Sequence, residues 1–192
     1  YYGWQAAMET IHSETYALMI DTYISNHEEK IRLLNGIKEV QGVKKKADWA
    51  KKWLNSEIPF AKRLVAFTIV EGLFFAGSFC AIFWLKYVKG LMTKALGKSN
   101  ELIARDESLH ADFGVLLYTY IENRISLDEI NEMFTTAVDI EKEFICESFS
   151  CDLIGMNANS MKTYIEFQAD RLIQKMGYPK TVSYTHLRAH ET

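Results

Sequence analysis

The sequence contains little proline and little cysteine, and it lacks the short motifs that mark several common enzyme classes. Only two prolines, Pro59 and Pro179, occur in 192 residues, which is typical of a chain built from long helices. The three cysteines are odd in number and lack the spacing of a metal site, so we expect reduced thiols in a cytoplasmic protein. A glycine-rich phosphate loop, a Cys-x-x-Cys pair and a serine nucleophile motif are missing, which argues against phosphate-loop, dithiol and serine-hydrolase chemistry.

Basic charge is also scarce, because the formal net charge is −3. A chain with this charge lacks the excess of basic residues that is typical of nucleic-acid-binding proteins. One basic run, VKKKADWAKKW at residues 43–53, interleaves lysines with Trp49 and Trp53, as a nucleic-acid surface can. The overall acidity favours the alternative interpretation, a solvated helix face whose two tryptophans pack on the core.

The most apolar stretch, Leu64–Leu85, contains a single charged residue, Glu71. Its length and the basic residues beside it permit a membrane span. Against a span, a carboxylate in the middle of a membrane is energetically expensive, and no second candidate span follows. A helix that is apolar on all sides also suits the centre of a soluble bundle, so we predict one buried helix here and no membrane partner. A buried ionised carboxylate then needs a metal ion or a charged partner.

A Glu-x-x-His pair near the start of the chain joins Glu9 and His12, and Tyr16 follows one turn later. At about 100° per residue, these three side chains fall within roughly 60° of one another on a helix. A second pair, Glu107 and His110, recurs on a later predicted helix. One such pair arises by chance on exposed helices, but two pairs and a buried glutamate form most of a di-metal carboxylate site in a four-helix bundle.

The sequence therefore predicts an all-α, ferritin-like helical bundle with a di-metal carboxylate site in its core. The predicted metal ligands supply five of the six positions that such a site needs, and they are Glu9, His12, Glu71, Glu107 and His110. The chain begins inside a predicted helix, without a methionine or a signal peptide. We therefore expect a piece of a longer protein, in which an upstream helix carries the missing carboxylate.

Carboxylates with one imidazole per ion form a hard, open ligand set that suits Fe(II) or Mn(II) better than structural zinc. Two ions held by shared glutamates keep positions at which O₂ can bind, and their oxidation can take an electron from a nearby phenol, here Tyr16. Phe75 and Phe79 lie one and two turns beyond Glu71 on the same face of the predicted helix. With Ile103, they are expected to keep water and reductants away from the resulting radical. Asp106 is expected to accept a hydrogen bond from the outer nitrogen of a metal-bound histidine.

The other predicted elements are also helical. An amphipathic helix is expected over residues 2–26, and its apolar side follows Met8, Ile11, Tyr16, Met19 and Tyr23. A second helical stretch is expected within residues 27–43. A further helix is expected over residues 128–148, after a capping box of Ser126 and Glu129. The last predicted helix, Asn159–Met176, lies between a break at Gly155 and an end at Gly177. Neither of the last two helices carries an obvious set of metal ligands.

The final eleven residues, VSYTHLRAHET, differ in character from everything before them. They resemble the translation of a transposase-type sequencing adapter. We therefore assign residues 1–181 to the native domain and treat residues 182–192 as an artefact. On this interpretation His186 and His190 are not metal ligands, although their spacing would permit it.

The motifs together resemble a known family, the small, radical-generating subunit of class I ribonucleotide reductase, in the branch found in eukaryotes and their large DNA viruses. The resemblance covers about residues 2–180 and includes AMETIHSETY, VKKKADWA, VAFTIVEGLFFAGSF, SNELIARDESLHADF and IGMNANSMKTYIEFQADRL. It implies two iron ions, and the tyrosine at position 16 favours di-iron over a manganese–iron pair. Of the ligands, it places Glu9 and His12 on one ion, Glu71, Glu107 and His110 on the other, and Glu9 and Glu107 as bridges.

The same resemblance implies roles for the residues around the ions. It places the stable radical on Tyr16 and the surrounding pocket at Phe75, Phe79 and Ile103. Asp106 corresponds to the aspartate that links a metal-bound histidine, here His12, to the electron-transfer path.

The family also implies a homodimer, a large subunit that reduces ribonucleotides, and radical transfer between the two subunits. Three family features are absent from this sequence: the upstream aspartate ligand, the upstream tryptophan of the transfer path, and the C-terminal tail with its tyrosine. We therefore expect the chain as it stands to be catalytically incomplete.

Three other interpretations compete. A different ferritin-like di-iron oxidase, such as a ligand-binding oxidase or an acyl-carrier-protein desaturase, also uses paired Glu-x-x-His motifs but lacks the HSETY and RDESLH contexts. Iron storage of the ferritin type would need an exposed site, which the aromatic residues near Glu71 argue against. A purely structural bundle would leave Glu71 buried without a partner.

Overall fold

Apolar periodicity at helical spacing runs through most of the chain, and the computed structural model is correspondingly helical over the residues it describes, 1–148 and 156–180. The helices of these residues are α1 (Tyr2–Tyr23), α2 (His27–Leu34), α3 (Gly36–Glu39), α4 (Gln41–Trp53), α5 (Phe60–Leu73), α6 (Ala76–Tyr87), α7 (Leu96–Thr119), α8 (Leu127–Ser148) and α9 (Ala158–Lys175).

Helix α5 lies at the centre of the bundle. It packs most extensively against α7 and also contacts α4, α8 and α9. Its apolar side chains Val65, Ile69 and Leu73 are fully buried. The backbones of α5 and α7 approach closely because Gly114 has no side chain: a Cβ atom there would lie 2.3 Å from Oγ1 of Thr68. This close packing brings the later Glu-x-x-His pair of α7 beside Glu71 of α5.

The expected single helix over Leu64–Leu85 is wrong, because the chain breaks between α5 and α6 at Phe74 and Phe75. At this break a side chain of α4 donates to the carbonyl of Phe74, and a side chain of α8 accepts from the amide of Gly77. Periodicity does not reveal such long-range contacts. By length and composition the Phe60–Tyr87 segment could cross a membrane, and half of its most apolar window is buried inside the fold.

Several local predictions are confirmed. The capping box at the start of α8 is formed, since the amide of Ser126 donates to Glu129 at 3.1 Å and the amide of Glu129 donates to Oγ of Ser126 at 3.3 Å. Trp49 and Trp53 are buried, as predicted for tryptophans that pack on the core. Beyond α9, Gly177 has a φ of +88°, which suits glycine. The predicted break at Gly155 and residues 182–192 lie outside the described residues.

The amphipathic pattern of α1 is only partly used. Ile11 and Tyr23, both placed on its apolar side by the sequence, are 52% and 44% exposed. The reason is that α1 packs mainly against α2 and α7, so one face of it stays uncovered. Its buried residues are Gln5 and His12, which are both polar.

Candidate metal centre

Three helices bring carboxylates and an imidazole together in the core. Glu9 comes from α1, Glu71 from the last turn of α5, and Glu107 and His110 from α7, and one ligand atom from each lies within 4.8 Å of all the others. Glu71, Glu107 and His110 are buried, whereas the side chain of Glu9 is 42% exposed. The i, i+3 spacing on α7 puts Glu107 and His110 on one face, and the close approach at Gly114 sets that face against α5.

The carboxylates converge on one ring nitrogen. Nδ1 of His110 lies 3.0 Å from Oε1 of Glu9, 3.1 Å from Oε2 of Glu71 and 3.4 Å from Oε2 of Glu107. One ring N–H can serve only one of these oxygens, and it is hydrogen-bonded to Glu71. The facing oxygens of Glu9 and Glu107 are buried without a hydrogen-bond partner, which is the environment that a cation would satisfy.

His12 faces the opposite oxygens of the same two glutamates. Its Nδ1 lies 3.0 Å from Oε1 of Glu107 and 3.6 Å from Oε2 of Glu9. Glu9 and Glu107 therefore each present one oxygen to His12 and the other to His110. Two carboxylates placed between two imidazoles are suited to bridging a pair of ions.

The electrostatics of the three glutamates also indicate a site for a cation. Burial, together with the charges of Glu71 and Glu9, raises the pKa of Glu107 to about 8. Burial also raises the pKa of Glu71. The cause is that three carboxylates share one water-poor site, so the site lacks positive charge. A divalent cation fits these residues, because it would pair with the buried oxygens and allow Glu71 and Glu107 to ionise.

Asp106 contacts the ring nitrogen of His12 that faces away from the glutamates. Its Oδ2 lies 3.3 Å from Nε2 of His12, and its Oδ1 accepts from the guanidinium of Arg105. A proton on Nε2 leaves Nδ1 as the nitrogen that faces the glutamates with a free lone pair. Orientation of a metal-ligating histidine by a carboxylate is common.

Tyr16 and two of the residues predicted to surround its radical line different cavities. Tyr16 lines a cavity of about 700 Å³ between α1 and the α2–α4 region, and burial with the charge of Glu107 raises its pKa to about 12. Phe79 lines a different cavity of about 250 Å³ together with Glu71 and Glu107, and the buried Ile103 lines a third beside His12.

Phe75 is 39% exposed, with its ring 6.0 Å from that of Phe79. The helix break directly before α6 accounts for this position, since the expectation of a shared face with Glu71 assumed an uninterrupted helix.

Sequence reasoning missed two residues of α1. The ring of Trp4 meets the imidazole of His110 edge-on at 5.9 Å between centroids. Gln5 is buried, and neither atom of its amide has a hydrogen-bond partner. Gln5 stands four residues before Glu9, so its helical spacing was a signal that it shares the inward face.

A helical bundle that gathers three glutamates and two histidines in its core is the arrangement of the ferritin-like di-metal carboxylate proteins. The expected fold class is thereby confirmed, and the comparisons with known proteins specify the family within it.

The family model described as "Ribonucleotide reductase, small chain" matches residues 1–185. The ribonucleoside-diphosphate reductase small subunit of Dictyostelium discoideum is 56% identical over 180 residues, which cover 94% of this chain and 53% of the relative. The small chain of Vaccinia virus (strain Western Reserve) is 50% identical over 186 residues, which cover 97% of this chain and 58% of that protein.

A solved structure supports the same family. The structure of the Rnr4 homodimer from Saccharomyces cerevisiae superposes with a TM-score of 0.83 at 35% identity and covers 97% of this chain and 59% of that chain. The chain therefore belongs to the ribonucleotide reductase small chain family, as its motifs indicate, and it spans about half the length of the curated relatives it matches.

Proposed function

We propose that this chain is the core of a ribonucleoside-diphosphate reductase small subunit, which generates and stores a tyrosyl radical for a large subunit that makes deoxyribonucleotides. The observation that carries the proposal is that Glu9 and Glu107 each face both histidines. This is a bridging arrangement for two ions, and it occurs in a chain that belongs to the corresponding family.

Each predicted ligand has a place in the proposed site. Glu9 and His12 would hold one iron ion, Glu71 and His110 the other, and Glu107 would join Glu9 as a bridge. When bound, the ions supply O₂ activation and the power to remove one electron from a phenol. Carboxylate oxygens and one imidazole per ion match the preference of Fe(II), and manganese in one position is the less favoured alternative.

The remaining predicted residues would act on protons, electrons and water. Asp106 would keep the proton of His12 on Nε2 and connect the site to the electron-transfer path. Tyr16, with a pKa of about 12, is protonated at neutral pH, so it must release its proton when it loses an electron. Ile103 and Phe79, and Phe75 at the edge, would shield the site from reductants.

The proposed partners follow from the family and the charge. The relatives are named as the small subunit of a two-part enzyme, and the yeast neighbour is described as a homodimer. We propose the same for the protein that contains this chain, in the cytoplasm. The net charge of −3 and the central, buried position of α5 support the absence of nucleic-acid and membrane partners.

The test is electron paramagnetic resonance of the protein extended to the length of its relatives, loaded with Fe(II) and exposed to O₂. A radical signal that disappears in Tyr16→Phe, with iron uptake unchanged, is the expected result. Iron uptake and O₂ consumption without a radical in either sample would contradict the proposal and favour a di-iron oxidase. If the protein does not bind iron, the proposal of a metal site is itself wrong.

A further inference from the structure

Three successive lysines in α4 have different environments. Lys44 pairs with Asp48 on the surface of the same helix at 2.7 Å, and Lys45 pairs with Glu143 of α8, also at the surface. Lys46 differs, because its side chain is only 14% exposed and its partner Glu141 is fully buried. The basic run is therefore not a uniformly solvated face, and Lys46 is directed into the bundle.

Lys46 and Glu141 together span the break between α5 and α6. Nζ of Lys46 donates to the carbonyl of Phe74 at 2.7 Å and lies 2.5 Å from Oε2 of Glu141. The other oxygen of Glu141 accepts from the amide of Gly77 at 3.1 Å. An ammonium thus sits at the C-terminus of α5 and a carboxylate at the N-terminus of α6, where each complements the helix dipole and satisfies a backbone group that has no partner within its helix.

The backbone is fitted closely to this pair. A Cβ atom on Gly77 would lie 2.4 Å from Ile145 and 2.8 Å from Oε1 of Glu141. Lys46 also lies 3.7 Å from the ring centre of Phe144. Burial lowers the pKa of Lys46 and raises the pKa of Glu141, so the pair is costly to keep charged. Apolar residues often replace a buried ion pair without loss of stability. The contacts of the Lys46–Glu141 pair at the break therefore indicate a role other than stability.

The break lies directly beside the candidate metal centre. Glu71 is in the last turn of α5, three residues before Phe74, and Phe79 is in the first turn of α6. A shift of the break along the chain would rotate or withdraw the last turn of α5, and with it the carboxylate that contacts His110 at 3.1 Å.

We infer that Lys46 and Glu141 are positioning residues for the metal centre: they fix the break between α5 and α6 and so hold Glu71 against His110. This inference rests on the proposed function, since it assigns to the pair the geometry of one ligand of that site.

The experiment compares Lys46→Met with Lys45→Met in the protein extended to the length of its relatives. Both substitutions remove a lysine that reaches from α4 to α8, but only the first removes a contact with the break. Hydrogen–deuterium exchange of the metal-free protein reports on residues 71–79, and titration with Co(II), followed by its visible absorption, reports on the ligand geometry. Lys46→Arg serves as the conservative variant, and Glu71→Ala shows what loss of the ligand itself does.

We expect Lys46→Met to exchange faster at residues 71–79, to bind Co(II) about tenfold more weakly and to change its absorption spectrum, as loss of an outer-shell partner does. Lys45→Met should match the unsubstituted chain, and Lys46→Arg should restore much of the affinity. If Lys46→Met does not fold, Glu141→Gln provides the same comparison, because it keeps the shape of the side chain and removes its charge.

The outcomes separate the two proposals. If Glu71→Ala weakens Co(II) binding but Lys46→Met changes neither binding nor exchange, the inference is wrong and the metal centre stands. If Lys46→Met only lowers the melting temperature, with the Co(II) spectrum unchanged, the pair is merely structural and the inference is again wrong. If the extended protein fails to bind Co(II) both with and without Glu71→Ala, the proposed function fails, and the positioning role fails with it.

Discussion

Oδ2 of Asp106 lies 3.3 Å from Nε2 of His12, so a carboxylate on α7 holds an imidazole on α1 by the nitrogen that faces away from the glutamates. Both side chains are buried, which makes the contact stronger than it would be in water. It fixes the direction in which the imidazole lone pair points.

Asp106→Ala should therefore weaken metal binding at the His12 position by about tenfold to a hundredfold, because the ring loses its orientation and its tautomer is no longer set. Isothermal titration with Fe(II) under anaerobic conditions measures this effect. Asp112→Asn is the matched control, since Asp112 lies on the same helix, is exposed and pairs with Lys175. Equal affinity in Asp106→Ala and Asp112→Asn would show that the contact does not serve the metal.

The metal-free protein should become less stable as the pH rises from about 5 to about 8. The pKa of Glu107 is raised to about 8 in the folded state, from an ordinary value of 4.5. Above the ordinary value the unfolded chain releases this proton while the folded chain retains it, so the free energy of unfolding falls until the pH passes the folded pKa. Glu71 contributes in the same direction.

Thermal unfolding in the presence of a chelator, at pH 5.5 and pH 8, measures this dependence. Glu107→Gln should raise the melting temperature at pH 8 by several degrees and flatten the difference between the two pH values. A melting temperature that rises with pH in the metal-free protein, and does so equally in Glu107→Gln, would contradict the assignment of the raised pKa.

Gly114→Ala should destabilise the fold by about 1–3 kcal/mol and weaken metal binding, because the added methyl group forces α7 away from α5. A Cβ atom there would lie 2.3 Å from Oγ1 of Thr68. Gly3→Ala is the control, since nothing lies within 4 Å of a Cβ atom at that helical position, and it should be neutral or slightly stabilising. Urea unfolding measures both, and equal stability of the two variants would show that the helices are not packed as described.

How far the sequence predicts this structure differs between the metal centre and its surroundings. The spacing of Glu9 and His12, and of Glu107 and His110, depends only on the helical repeat, so their shared faces followed directly from the sequence. The need of a partner for Glu71 followed from the cost of burying its charge. In each case local regularity or a simple energetic argument sufficed.

The break after α5 was not predicted, because it depends on Lys46 and Glu141, which come from distant parts of the chain. The same limit explains the expectation for Phe75, which assumed that the helical repeat continued beyond Glu71. The exposure of Ile11 was also missed, since an amphipathic pattern shows that a face is apolar but not which partner covers it.

Helix α1 carries two of the five candidate ligands, yet it is joined to the rest of the described chain mainly through α7 and α2. An ion held by both Glu9 and Glu107 would link α1 directly to α7. Binding of the ion would then also help the bundle to assemble, because the free energy of coordination stabilises the packing of α1. Chelation should accordingly release the first helix while α5, α7, α8 and α9 remain packed, so that supply of the ion controls the shape of the protein as well as its chemistry.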